Sequence, residues 1–364
     1  MRFTLLFLLS LTLLSCSDKS DIKIGYVADF SSGQTNLGEL CRNAAQMAID
    51  DINDSGGIKG RKLELIPRDN GDVASAHQKI VEDFTEQGIR FIIGPFLSRN
   101  APFLLEESKG KEMLIISPVV SSDDFAGLDD NFFTIQPNAS SDGLIVGKTI
   151  IDRGDRTAVL IRDSENDKYT DSFMSGVRSV LNDKGVKILG DLSYNQSTNF
   201  LELTSRLIAF NADALVFSTL GIDAGTIIQQ YGKTEDLPHL YGDEWSRTTG
   251  VLLHGGRFTE GMINPGVYNA HRDKNLEAEL KTRYEETFLE DPVFFVYFTY
   301  EAIMLIAGVL EELPEKSTLE EIKDYLVDRK DFEGILGHLE FDRFGDSLRK
   351  KTLYIIRNNA YETY

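Results

Sequence analysis

The residues of this chain that could do chemistry are five histidines, two cysteines and the hydroxyls and carboxylates of a few loops, and their spacing excludes most enzymatic uses. His77, His239, His254, His271 and His338 are scattered with no pair at metal-ligand spacing, and neither HExxH nor GxSxG occurs. No nucleophile stands beside a base. Gly147-Lys148-Thr149 has the end of a phosphate-binding loop, but Gly143 lies one residue too close for that pattern and the stretch reads as helix. No catalytic residue, metal or cofactor is expected, which leaves binding through loop hydroxyls, loop carboxylates and backbone N–H groups.

Those loops need elements to hold them. Lys23 to Asp29 is a short apolar run that ends in a Ser- and Gly-rich turn, as a buried strand does. Leu40, Ala44, Met47, Ala48 and Ile52 then recur at helical spacing until Gly56 and Gly57 supply a left-handed stop. A second strand, Lys62 to Pro67, completes a strand-helix-strand unit, and parallel pairing requires such a crossover helix. The alternation continues with helix Ser75 to Glu86, strand Phe91 to Gly94, helix Ser98 to Lys109 and strand Met113 to Ser117. After Phe132 to Gln136 a fresh series runs to the strand His239 to Gly242, followed by a crossover strand Gly261 to Val267, three helices from Leu276 to Val327 and a terminal hairpin. The fold class is α/β, with two doubly wound units.

With 364 residues the chain can bury a large core, and 58 acidic against 38 basic residues, net -20, argue against nucleic acid or an anionic membrane surface as partner. Arg2 followed by the apolar run Phe3 to Leu14 is too short to span a bilayer core of ~30 Å and reads as a secretion signal. Its end, Leu13-Leu14-Ser15-Cys16, resembles the lipobox of bacterial lipoproteins, which makes Cys16 the lipidated first residue of the mature chain and leaves Cys41 as the sole remaining thiol. Val293 to Leu310 is apolar enough for a membrane span, yet it carries Glu301, follows Pro292 and lacks basic flanks, so it reads as a buried helix.

The blocks IKIGYVADFSSG, DINDSGGIKGRKLEL, FIIGPFLS, LIISPVVSS and FDRFGD occur in the order and spacing of the type I periplasmic binding proteins, and the chain most resembles the branched-chain amino-acid binders of ATP-driven importers. The resemblance implies two Rossmann-like lobes joined by a three-crossover hinge: residues 1–15 as signal peptide, 16–21 as lipidated cysteine and tether, 22–137 with 268–342 as lobe 1, and 138–267 with 343–364 as lobe 2. In open α/β sheets ligands sit beyond the carboxyl ends of the strands, at helix N-termini. The resemblance puts a ligand carboxylate at Ser98 and Ser121, and its ammonium at the Val119 carbonyl and at Glu244, with Asp243 a rival. A serine at a helix start also suits a plain N-cap.

Tyr169 and Phe295 match aromatic wall positions, Trp245 is a candidate for stacking, and Leu37 and Leu220 stand where the branched-chain binders carry tyrosines, which leaves the ligand open. Arg99 or Arg247 near the rim is a candidate reader of a second acidic group. The implied function is capture of a small amino acid or amino-acid-like solute between closing lobes and delivery to the permease subunits of an ABC importer, by an exported monomer anchored in the membrane through lipid on Cys16 alone. The alternative is an interaction lipoprotein of the same fold without a small ligand, such as a regulator of peptidoglycan synthases.

Overall fold

The computed structural model describes residues 20–32, 36–71, 73–267 and 275–364. The leader and Cys16 lie outside them. Strands β1 (Ile22–Ala28), β2 (Leu63–Asp69), β3 (Phe91–Ile93), β4 (Leu114–Ser117) and β5 (Phe132–Thr134) form a parallel sheet in the order β2-β1-β3-β4-β5. Parallel neighbours need crossovers, and α1 (Leu37–Asp54), α2 (Ala74–Glu86) and α3 (Ala101–Ser108) supply them. The stop of α1 is local in origin. Gly56 and Gly57 take φ of 107° and 70°, the Gly57 N–H donates to Ile52 O at 3.0 Å, and a Cβ at Gly57 would stand 2.1 Å from Arg61 O.

The second unit runs α4 (Ala139–Asp152), β6 (Thr157–Asp163), α5 (Asp167–Lys184), β7 (Lys187–Tyr194), α6 (Phe200–Phe210), β8 (Ala214–Ser218), α7 (Gly221–Gly232), β9 (His239–Gly242), α8 (Thr249–Gly255) and β10 (Ile263–Val267). Beyond it come α9 (Leu276–Phe288), α10 (Phe294–Glu312), α11 (Leu319–Asp328), the two-residue strands β11 (Glu333–Gly334) and β12 (Gly337–His338), and the hairpin β13 (Lys351–Arg357) with β14 (Ala360–Thr363). The second sheet has the order β14-β13-β10-β9-β8-β6-β7, and β13 joins it antiparallel to β10. The chain therefore leaves the first sheet after β5, returns after β10 and leaves again before β13. The return is anchored by Tyr284, whose hydroxyl donates to Leu40 O at 2.9 Å, and by Tyr300, which donates to Asp51 at 2.7 Å.

Helix α10 is long and apolar enough to cross a membrane by composition, but here it is core: Phe298, Ile303 and Ile306 are fully buried against α1 and β3. Each such side chain contributes about 1.5–3 kcal/mol on burial. Its one buried charge is matched, because Glu301 meets the Arg349 guanidinium at 2.7 Å with both side chains at most 2% exposed, and Glu301 also accepts the Leu336 N–H at 3.0 Å. Cys41 is buried in the same core, and burial pushes its thiol up to about 12.

The Gly147-Lys148-Thr149 stretch is interior to α4, and its glycine serves packing: with Gly143 and Gly176 it lets α4 and α5 approach so closely that a Cβ at Gly143 would meet Phe173 O at 2.0 Å. The short strands β11 and β12 were not expected, and two further elements differ from the sequence expectation. The helix expected over Ser98 to Lys109 is a single 3-10 turn, Ser98–Asn100, followed by α3. Helix α8 was not expected, because its seven residues carry two glycines, are followed by a third at Gly256 and show no apolar period; Gly225 and Gly255 instead let α7 and α8 touch.

Candidate functional site

The carboxyl ends of both sheets face one another, and the loops there build one pocket. After β3 the chain turns at Pro95 and begins the 3-10 turn at Ser98; after β4 it passes Pro118 to Val119 and Ser121. A serine that sequence reading missed ties these two loops. The Ser117 hydroxyl donates to Pro95 O at 2.7 Å and accepts the Val120 N–H at 2.9 Å. From the second lobe come Asn166 and Tyr169 at the start of α5 and the Glu244-Trp245 pair after β9, while Phe295 arrives from α10. Ser98, Val119, Ser121, Tyr169, Glu244, Trp245 and Phe295 thus line one space of about 20 Å³, room for roughly one water. Tyr169 and Trp245 meet edge to face with centroids 5.6 Å apart.

Leu37 and Leu220 stand elsewhere. Leu37 borders a small separate hollow with Asp29 and Asn100, and Leu220 lines an outer chamber of about 430 Å³. That chamber shares Leu97 and Trp245 with the inner pocket and has a mixed wall, with Phe200 and Leu220 beside Arg99, Asp163 and Asp223. Burial pushes the Asp163 carboxyl up to about 6 and that of Asp223 upward. A space of similar size, about 420 Å³, lies at the opposite end of the first sheet between Lys23, Arg61 and Leu313, away from the strand ends where this fold holds ligands.

The lobes touch across the cleft. Arg99 Nη1 donates to Glu165 O at 2.6 Å, Lys168 pairs with Asp124 at 2.6 Å, and the Asp123 N–H donates to Ser172 Oγ at 3.0 Å. Arg99 is therefore a cleft contact. Arg247 is not at the rim: its guanidinium lies between the Phe294 and Tyr354 rings, 4.7 and 4.6 Å from their centroids, and pairs with Glu244 at 3.3 Å.

The acidic end of the pocket departs most from expectation. Glu244 Oε2 accepts from Lys351 Nζ at 2.5 Å, while Oε1 accepts the Val267 N–H at 3.1 Å and Arg247 Nη2 at 3.3 Å. Lys351, the first residue of β13, also donates to Asp142 Oδ2 at 3.1 Å and Gln136 Oε1 at 3.3 Å. Burial opposes ionisation of Glu244, but the Lys351 ammonium and Arg247 guanidinium outweigh it and hold the carboxyl below its usual range. For Asp142 burial prevails over Lys351 and lifts the carboxyl to about 7. Burial alone would lower the Lys351 ammonium, yet Asp142 and Glu244 raise it. Asp243 faces away, holding its own loop: it accepts from Ser218 Oγ and the Ser246 N–H, each at 2.7 Å.

Lys351 was invisible as a site residue in the run Arg349-Lys350-Lys351. The available signal was strand period: Lys351 shares a face of β13 with the apolar Leu353 and Ile355.

A double-lobed α/β fold with a pocket between facing strand ends defines a class of two-lobed binding protein. The sequence profile described as periplasmic binding protein matches residues 21–357, and the chain belongs to that family. It is similar to the Leu/Ile/Val-binding protein BraC3 of Rhizobium johnstonii, 22% identical over 90% of this chain and 89% of that one. The leucine-, isoleucine-, valine-, threonine- and alanine-binding protein of Pseudomonas aeruginosa is 23% identical over 89% of this chain and 87% of its own length. Among solved structures, the branched-chain amino acid transporter substrate-binding protein LivJ of Streptococcus pneumoniae in complex with isoleucine superposes with a TM-score of 0.81, at 20% identity over 94% of this chain and 98% of that one. A solute-binding protein of an ABC transporter from Rhodopseudomonas palustris BisB5, in complex with 3,4-dihydroxybenzoic acid, gives 0.84 at 14% identity, covering 95% and 97%. The relatives are named as binding proteins, not enzymes.

Proposed function

We propose that the protein is an exported, lipid-anchored solute receptor that closes two lobes on a small amino-acid-like carboxylate and delivers it to the permease subunits of an ABC importer. The lobes comprise 22–137 with 268–342 and 138–267 with 343–364, and Cys16 carries the lipid. One observation carries the reading. The hydroxyls of Ser98 and Ser121, from two loops of one sheet, face a pocket closed by the other lobe, and among the described residues neither has a hydrogen-bond partner. Donors left free beside a 3-10 turn suit a carboxylate. The solute's carbon skeleton would extend past Leu97 and Trp245 toward the outer chamber of about 430 Å³, a volume within the range of small-molecule sites. Closure excludes water and strengthens each polar contact.

The names of the relatives put amino acids first among candidate solutes, and the dihydroxybenzoate complex adds acids without an amine. A second reading, an interaction lipoprotein with no small ligand, draws on the inner pocket's volume of only about 20 Å³. Thermal unfolding of the chain from Ser20 onward, which contains both sheets, separates the two. A ligand at about a hundred times its Kd stabilises by roughly 2.7 kcal/mol. The receptor reading expects such a rise from at least one member of a panel of amino acids and organic acids; no rise with natively folded protein would favour the interaction reading.

A further inference from the structure

A zwitterionic amino acid needs two subsites, one for its carboxylate and one for its ammonium. In this protein the carboxylate of the second is already engaged. Lys351 Nζ spends its three N–H groups on Glu244 at 2.5 Å, Asp142 at 3.1 Å and Gln136 at 3.3 Å, and its side chain is 4% exposed. Glu244 is equally committed, since its other oxygen accepts from Val267 and Arg247. An entering α-ammonium would find both Glu244 oxygens already accepting and would lie beside two cations, Lys351 buried and Arg247 partly buried.

The charge of the cluster points the same way. Lys351 and Arg247 face Glu244, with Asp142 lifted to about 7 by burial, so at neutral pH positive charge is not outnumbered and an anion is the complementary guest. The groups left free are suited to it. The Ser98 and Ser121 hydroxyls donate to nothing among the described residues, and two oxygens on the same pocket, Asp142 Oδ1 and Asn166 Oδ1, are buried without a partner. Two serine donors fit a carboxylate; the free Asp142 and Asn166 oxygens fit a neutral hydroxyl on the adjacent carbon, where an α-ammonium would meet the Lys351 ammonium that lies 3.1 Å from the other Asp142 oxygen.

We infer that Lys351 is a built-in ammonium that occupies the subsite Glu244 forms, and that the pocket selects small carboxylic acids without an α-ammonium group, 2-hydroxy acids foremost, over the corresponding amino acids. The inference rests on the receptor reading given above. It makes Lys351 a specificity-determining residue.

The test uses the chain from Ser20 onward and matched pairs: L-leucine with 2-hydroxy-4-methylpentanoate, L-phenylalanine with 3-phenyllactate, and L-alanine with lactate, each titrated by thermal shift and calorimetry. At least one hydroxy acid is expected to bind the wild type tenfold or more tightly than its amino acid. Lys351→Met, which frees Glu244 for an ammonium, should shrink that ratio at least tenfold, and Lys351→Arg, which keeps a cation, should preserve the preference. Should Lys351→Met not fold, the wild-type ratios and Lys351→Arg decide alone. An amino acid that binds the wild type as tightly as its hydroxy partner overturns the inference and leaves the receptor reading standing. Absence of binding by every compound overturns both.

Discussion

Lys351 and Glu244 are separated by 107 positions in the chain, yet the ammonium of one lies 2.5 Å from the carboxylate of the other, with both side chains 4% exposed. The contact also gathers the three interlobe connections: Gln136 follows β5, Val267 ends β10 and Lys351 begins β13. Breaking a buried pair from one side leaves a desolvated charge behind, at a cost of about 3–5 kcal/mol. Arg247 remains on Glu244, so Lys351→Met is expected near the lower end of that range in urea unfolding. A loss indistinguishable from zero would contradict the burial of the pair.

The second buried pair gives a cleaner separation of roles. Arg349→Met should cost about 3–5 kcal/mol by stranding Glu301, while the joint replacement with Glu301→Leu should recover most of the loss, because an apolar pair of similar volume suits the core of α10. A double-mutant cycle on urea midpoints reads the coupling. Additive losses would mean that the two groups are independent.

Acid stability follows from the buried carboxyls. Asp142 and Asp243 are lifted to about 7, and Asp130 and Asp163 to about 6, in each case by burial first. Raised groups bind protons more tightly folded than unfolded, so stability should fall as pH rises from about 5 to about 7.5. The depressed carboxyls act in another window: the stabilisation from Asp69, Asp213 and Glu244 is present above the unfolded value near ~4 and is lost only as pH falls through their lower folded values. Urea unfolding at the two pH values checks the sign; greater stability at the higher pH would refute it.

Much of the architecture was legible because its causes are local. Gly56 and Gly57 end α1 through their own backbone angles, and Glu301 marked the apolar helix as buried core. The site was less legible, because its decisive contact is tertiary. The family resemblance pointed to Glu244, with Asp243 a rival, but nothing near it in sequence announces that Lys351 will answer it, and Leu37 and Leu220 line neighbouring spaces only because the loops around Phe96 and Trp245 divide the cleft.

The serines of the pocket separate binding from folding. Ser117 holds the loops after β3 and β4 together, so Ser117→Ala should cost about 1–3 kcal/mol of stability by leaving buried partners unmatched. Ser98 and Ser121 have no such partners among the described residues, so the variant Ser98→Ala/Ser121→Ala should melt within about 0.5 kcal/mol of the wild type.

The most direct measurement is calorimetric titration of that double variant beside the wild type, using the small acid that gives the largest thermal shift. Losing two hydrogen bonds to a charged ligand, each of about 1.5–3 kcal/mol, should weaken binding by roughly a hundredfold or more, from one site per wild-type chain to none detectable. Equal affinity in the two proteins would contradict a solute held between the lobes by Ser98 and Ser121.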